Sequence, residues 1–264
     1  MAKQGAACAT LVGALTLAGC PAPIEAPTEL SDLARYMVRE FDAEDPAVRV
    51  AGADNFAALL DGVDFSASTP DRSTIPSSLS SDDVADLTRP PDTSLADTTD
   101  VTLFYGSRHP VSTHAAFTLV ENQIDAEPST AAYTRSFLDG EDCFEDGSCD
   151  RLSTVNAVSR ENALFALDFT LFKDFRRFAT TDGRDVLVSR AWTVEPFEAS
   201  RGTAVLRQSW TLDVFVDGPD GALRFRGNWA ETTFDPPIDE DIARNTTRSG
   251  MQNGHERADE ALDE

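Results

Sequence analysis

The sequence predicts an α+β fold: N-terminal helices and loops packed on a curved antiparallel β-meander in the C-terminal half. Three observations carry this. Segments 163–179, 185–195, 204–216 and 222–234 alternate apolar and polar residues, the period of strands with one buried face. The separators at 181–183 (Thr-Asp-Gly), 198–202 (Glu-Ala-Ser-Arg-Gly) and 217–220 (Asp-Gly-Pro-Asp) are turn-forming. Ahead of them, apolar residues recur at helical spacing instead.

The chain begins with Lys3 and an uncharged apolar stretch over 6–19, too short to span a ~30 Å hydrocarbon core as a helix. Small residues then lead into a cysteine, Leu17-Ala18-Gly19-Cys20. This motif resembles the lipobox of bacterial lipoproteins. The resemblance covers only the first twenty residues. It implies that residues 1–19 are a signal peptide cleaved after Gly19, and that Cys20 carries the lipid. Pro21 stands where an aspartate favours inner-membrane retention in such proteins, so the resemblance implies the outer membrane rather than the inner. Two or three acyl chains would anchor the chain essentially permanently. Residues 20–29, proline-rich, read as a lipidated tether, of which 21–29 span at most ~28 Å.

A single globular domain is expected over 30–252. Leu30, Leu33, Met37 and Phe41 form one stripe, predicting a helix near 29–42. Asp45-Pro46 is an N-cap followed by proline at the first helical position, with the helix running to about Leu60 and stopping at Gly62. Residues 64–100, rich in Ser, Thr, Asp and Pro, read as an extended surface segment with at most a short helix at 82–87 after Ser80 and Ser81. A strand over Val101–Tyr105 and a helix from Pro110 follow, then an acidic cysteine loop over 139–150. After the meander, a helix from Asp239 to about Met251 gives way to an acidic tail, 253–264. Two registers follow from the turns. A two-residue Asp182-Gly183 turn pairs Leu171 with Val194 and Phe175 with Arg190. A four-residue loop over 217–220 sets Trp210 opposite Gly227.

Forty-six acidic against 22 basic residues give a net charge of −24. Such a polyanion is repelled by nucleic acid and by anionic headgroups, so neither is expected as a partner of the body. Lys173 is the only lysine left once the signal is removed. Cys8 leaves with the signal and Cys20 is lipidated, which leaves Cys143 and Cys149. In an exported chain these are expected to form a disulfide closing a short loop, worth roughly 2 kcal/mol.

No catalytic signature is found: no G-x-S-x-G, phosphate-binding loop, H-E-x-x-H or S-x-x-K. His109 and His114 are not spaced as ligands on one helix face. His109 is expected to cap the helix opened by Pro110, His114 to be surface or half-buried, and His255 to lie in the tail. The loop carboxylates Asp139, Glu141, Asp142, Glu145, Asp146 and Asp150 are a weak calcium candidate without EF-hand spacing. No cofactor is expected. The odd feature is an apolar sheet face interrupted by Lys173, Arg190 and Gln208. Two unpaired cations there would cost several kcal/mol, so carboxylates pair with them, their heads reach the sheet rim, or they line a ligand pocket with Trp192, Trp210 and Trp229. Three functions are therefore carried forward. The first is a non-enzymatic envelope lipoprotein acting as a binding or assembly module. The second is a carrier of an apolar or amphipathic anionic ligand on the concave sheet. The third, disfavoured by the missing motifs, is an envelope hydrolase.

Overall fold

The computed structural model describes residues 24–65, 78–124, 126–127, 130–161 and 166–263. The lipobox-like segment with Cys20, residues 66–77 and Phe165 lie outside them. No described helix is long and apolar enough to cross a membrane.

The first two helices form where the periodicity places them. Helix α1 (Leu30–Arg39) buries Leu33 and Met37, with Phe41 buried just past its end. Helix α2 (Pro46–Asp61) starts on Asp45, whose carboxylate accepts from the Ala47 N–H at 2.9 Å. Proline at its first position sacrifices only an N–H that would lack a helical partner anyway. The following segment is not a surface strap over its described part. Leu79, Val84 and Leu95 are buried in the same core as α1 and α2. The short helix expected at 82–87 is a turn instead. Asp83 is fully buried and accepts from the Ser80 N–H and Oγ and from Arg35 and Arg39 of α1. A carboxylate bound both to the residue three before it and to another helix closes a turn and docks it.

The described strands are β1 (Thr99–Gly106), β2 (Thr130–Asp139), β3 (Arg151–Glu161), β4 (Ala166–Ala179), β5 (Asp185–Trp192), β6 (Phe197–Glu198), β7 (Ala204–Gly218) and β8 (Gly221–Phe234). They form one open antiparallel sheet in the order β1-β8-β7-β5-β4-β3-β2, with β6 added to β7. The α+β class and the C-terminal meander are therefore as expected, but β2 and β3 were not. Their inward positions include Arg135, Thr154 and Asn156, all buried, which hides the apolar alternation of a half-buried strand.

Both expected registers change. Between β4 and β5, Gly183 has φ +88° and its N–H bonds to the Thr180 carbonyl at 3.0 Å. The loop is thus three residues, Thr181-Asp182-Gly183, with glycine in the left-handed position that such loops require. An odd loop shifts the register by one. Phe172 pairs with Trp192, Lys173 with Ala191 and Asp174 with Arg190. A one-residue shift moves a whole side-chain set to the other face. Leu167, Phe169 and Leu171 therefore pack on one face with Ala191, while Val186, Val188 and Trp192 pack on the opposite one. The meander is buried on both faces, not one.

Between β7 and β8 the turn is Pro219-Asp220, with Gly218 opposite Gly221. Gly221 has φ +141°, and a Cβ there would lie 2.1 Å from the Ser107 carbonyl oxygen, so only glycine admits this approach. The turn is two residues shorter than expected. The faces are kept, but Trp210 pairs with Trp229 and Gly227 with Leu212.

The two faces are covered by different parts of the chain. The first carries α1, α2 and the 78–98 segment over Trp192, Trp210, Trp229 and Phe225. On the second, helix α3 (Val111–Phe117) lies against β5 and β7, and residues 118–124 continue from it. Helix α4 (Glu141–Phe144) buries Phe144 beside Leu152, and the Cys143–Cys149 disulfide closes its loop. Helix α5 (Glu240–Ala261) lies along β1. It runs ten residues past the Met251 expected as its end, because Met251, Gly254 and His255 are buried. The acidic tail is therefore mostly the last turns of a packed helix.

Candidate functional site

The six residues expected to line one pocket are divided by the sheet. Arg190, Trp192, Gln208, Trp210 and Trp229 point into the first face, and Lys173 points into the second. All five are buried. Phe172, Trp192, Trp210 and Trp229 form a row of aromatic rings across neighbouring strands, with Phe172 and Trp192 stacked at 5.7 Å between centroids. Gln208, fully buried, accepts from Trp210 Nε1 at 3.0 Å and donates to the Ser94 carbonyl and to Glu231. Its polarity satisfies the core rather than a ligand.

Arg190 is 4% exposed and meets three carboxylates: Asp42, Asp86 at 2.8 Å and Asp174 at 3.1 Å. Arg176 bridges Asp42 and Asp150, Arg49 reaches Asp150 at 3.0 Å, and Arg151 joins Asp42 and Asp174. Four arginines and four aspartates thus tie the α1–α2 connection, α2 and the 78–98 segment to the sheet. Burial alone would raise the Asp42 carboxyl, but Arg190, Arg176 and Arg151 hold it below its ordinary value. Asp150, one of the six calcium candidates, is consumed in this network. Among the described residues no group of three or more His, Cys, Asp or Glu side chains is placed to hold a metal ion.

The second face holds a cavity of about 90 Å³ between the sheet, α3 with its following loop, and α5. Its floor comes from alternate positions of four strands: Lys173 and Phe175 on β4, Leu187 and Ser189 on β5, Asp213 and Phe215 on β7, Arg224 and Arg226 on β8. Arg135 on β2 and Glu127 close one side, His114 another, and Gly254 and Ala258 of α5 form part of the roof. Short residues on α5 let that helix approach the charged floor.

The charges are not balanced. Lys173 donates to Glu127 at 3.2 Å, and Arg160 takes the other oxygen of Glu127 at 3.2 Å. Burial would push the Glu127 carboxyl up, but Lys173, Arg160 and Arg226 hold it far below the ordinary range. Arg224 donates twice to Asp213 Oδ1, at 2.9 and 2.7 Å. Among the described residues Arg135 has no carboxylate partner and is held by neutral oxygens of Asn156, Thr118, Gln123 and Tyr133. Arg226 makes no hydrogen bond among the described residues; its nearest carboxylate oxygen is Asp213 Oδ2 at 3.9 Å, and its Nε is buried without an acceptor. Among the described residues, four cations of the cavity wall therefore face two carboxylates.

The chain's three histidines, dispersed in sequence, converge beside this cavity. His255 is stacked edge-on to Tyr105 at 3.3 Å between centroids, and Arg224 Nη1 lies 2.6 Å from its Nδ1. Arginine can only donate, so this ring nitrogen must offer a lone pair. Burial, reinforced by Arg224 and Arg226, accordingly holds His255 well below its usual pKa. His114, buried and next to Arg224 and His109, is pulled down to about 3. Its Nε2 lies 2.9 Å from Ser107 Oγ, which is itself 2.7 Å from Asp259 Oδ1. The serine proton points at the carboxylate, so His114 must be the donor to Ser107. A relay needs the histidine between carboxylate and serine; here the serine lies between. The arrangement fastens α5 to the 107–109 loop. His109 serves the same joint, with Nε2 at 3.1 Å from the Asp259 carbonyl and 3.2 Å from Asp263. It does not cap α3, which starts on Pro110 without a side-chain cap.

Comparison with known protein families finds no matching family model. Comparison with curated proteins finds no match.

Proposed function

We propose that this chain is an envelope lipoprotein whose body, held at the outer membrane through lipid on Cys20, is a non-enzymatic module binding an anionic ligand in the cavity beneath α5. One observation carries the ligand class: among the described residues the cavity wall has four cations against two carboxylates, inside a chain of net charge −24. Unbalanced charge in a low-dielectric space is costly unless something neutralises it. An acidic exterior with a cationic interior cannot be a general charge preference. The tether supports a body held close to its membrane. Asn55 donates to the Ala26 and Pro27 carbonyls, both at 2.9 Å, so the free tether is shorter than 20–29. Fully extended, the chain from Cys20 to Ala26 reaches about 21 Å.

Two measurements test the reading. Mass spectrometry of the full chain should show acyl chains that Cys20→Ser abolishes. Thermal unfolding of the mature body in a panel of anions, at constant ionic strength in chloride, should show stabilisation by at least one. Acylated Cys20→Ser protein would remove the tether, and a panel without any shift would remove the ligand class.

A further inference from the structure

Resting on that reading, we infer that the cavity takes one inorganic hydrogen phosphate dianion, held by Arg226, Lys173 and Ser189, whose P–OH donates a hydrogen bond to Asp213.

Size comes first. A cavity of about 90 Å³ is the room of roughly three waters, and well below the ~150 Å³ that admits a benzene ring. A tetrahedral oxyanion fits within this space, whereas an amphipathic acid would have to leave its apolar body outside it. Charge comes second. The excess of two cations is neutralised by a dianion and only half neutralised by a carboxylate. The excess also consists of groups with donors to spare. Arg226 uses none of its five N–H groups among the described residues, and Lys173 uses one of three, on Glu127. The Ser189 hydroxyl has no partner among the described residues and lines the same space.

Position comes third. Ser189, Asp213 and Arg226 lie in one cross-strand row on β5, β7 and β8. Lys173 is in the adjoining row, opposite Ala191 on β5. Neighbouring strands are about 4.8 Å apart, so Arg226 and Ser189 flank a space about two strands wide. An anion there meets the arginine from one side and the serine and lysine from the other.

The proton decides between oxyanions. Both Arg224 bonds to Asp213 end on Oδ1, while Oδ2 accepts no hydrogen bond among the described residues. An unfilled carboxylate oxygen repels a fully ionised anion but accepts from one that carries an O–H. At pH 7.5 hydrogen phosphate has that donor and sulfate does not. Glu127 is not a competing acceptor, since Lys173 and Arg160 already occupy both of its oxygens.

The test is calorimetric titration of the mature body with phosphate, sulfate and benzoate at pH 7.5 and matched ionic strength. Phosphate should bind one per chain, with sulfate weaker by about tenfold or more, as expected for one charged hydrogen bond lost to an unpaired acceptor. Arg226→Gln, which breaks no hydrogen bond of the described fold, should weaken phosphate by about tenfold. Arg226→Lys should recover part of that, and Arg89→Ala, an exposed arginine on the other face, should leave it unchanged. Sulfate binding as tightly as phosphate, or phosphate binding unaffected by Arg226→Gln, overturns the inference. Benzoate binding without phosphate overturns it while leaving the anion-binding module intact. If no anion binds, both fall.

Discussion

Arg190→Met separates a structural cation from a ligand-binding one. Arg190 is 4% exposed and its three carboxylates differ in what happens when it leaves. Asp86, 42% exposed, can return to water. Asp42 keeps Arg176 and Arg151. Asp174, 7% exposed, keeps only Arg151 at 3.4 Å and the Ser153 hydroxyl. One carboxylate is thus left nearly unpaired inside the core, and methionine fills the stem's volume, so lost packing contributes little. Removing one partner of a buried ion pair costs about 3–5 kcal/mol, a large part of a typical domain's 5–15. Urea unfolding followed by tryptophan fluorescence should show this drop, because all three tryptophans lie on the same face. Lys173→Met should cost less, since Glu127 retains Arg160. The two cations share no partner, so the double mutant should be additive within about 0.5 kcal/mol. A loss below 1 kcal/mol for Arg190→Met would refute the network's role. Strong coupling between the two would refute their placement on opposite faces.

Three further outcomes follow from the same coordinates. In Gly227→Val, the new Cβ would stand 2.9 Å from the Trp229 ring and 3.2 Å from Phe225. Both rings are fully buried, so denaturant unfolding should register a loss of about 1–3 kcal/mol; a neutral valine would contradict this packing. His114, held at about 3 in the fold, returns to about 6.5 when unfolded. The unfolded state then binds the proton first, so stability is full above about pH 6.5 and falls as pH drops, by about 1.4 kcal/mol per unit. His255 acts in the same direction, and flat stability between pH 7.5 and 5.5 would show that neither ring is buried neutral. Alkylation of the denatured, unreduced protein should label neither Cys143 nor Cys149; quantitative labelling of both would exclude the bridge.

The elements were legible where one mechanism acts alone. The Asp45-Pro46 start and Gly62 stop of α2, and the four long strands, need only local capping and alternation. Legibility failed where polar residues are buried. Arg135, Thr154 and Asn156 sit inward on β2 and β3 and bond to one another, Arg135 donating to Asn156 and Asn156 to Thr154, so these strands lack the apolar period by which strands are read. Gly250 and Gly254 weaken α5 in the same way, since glycine argues against a helix that tertiary contacts nonetheless impose.

The site was hidden for a related reason, and the hairpin at Thr181-Asp182-Gly183 shows how. A two-residue turn and a three-residue loop are both open to this sequence, and they differ by one residue of register. With an even loop, Lys173 and Arg190 share a face and form a pocket with the tryptophans. With the odd loop, Arg190 stays among the aspartates, and Lys173 passes to the face where Asp213, Arg224 and Arg226 stand. Those three looked like the solvent side of alternating strands: Leu212-Asp213-Val214 and Arg224-Phe225-Arg226 place a charge at every other position. Alternation cannot distinguish a charged face turned to water from one covered by another element. What covers this one, α3 with its loop and α5, comes from two segments distant in sequence, one between β1 and β2 and one after β8. The glycine in that loop thus selects a cation-rich cavity over an aromatic pocket, by choosing which face of the sheet each of two cations enters.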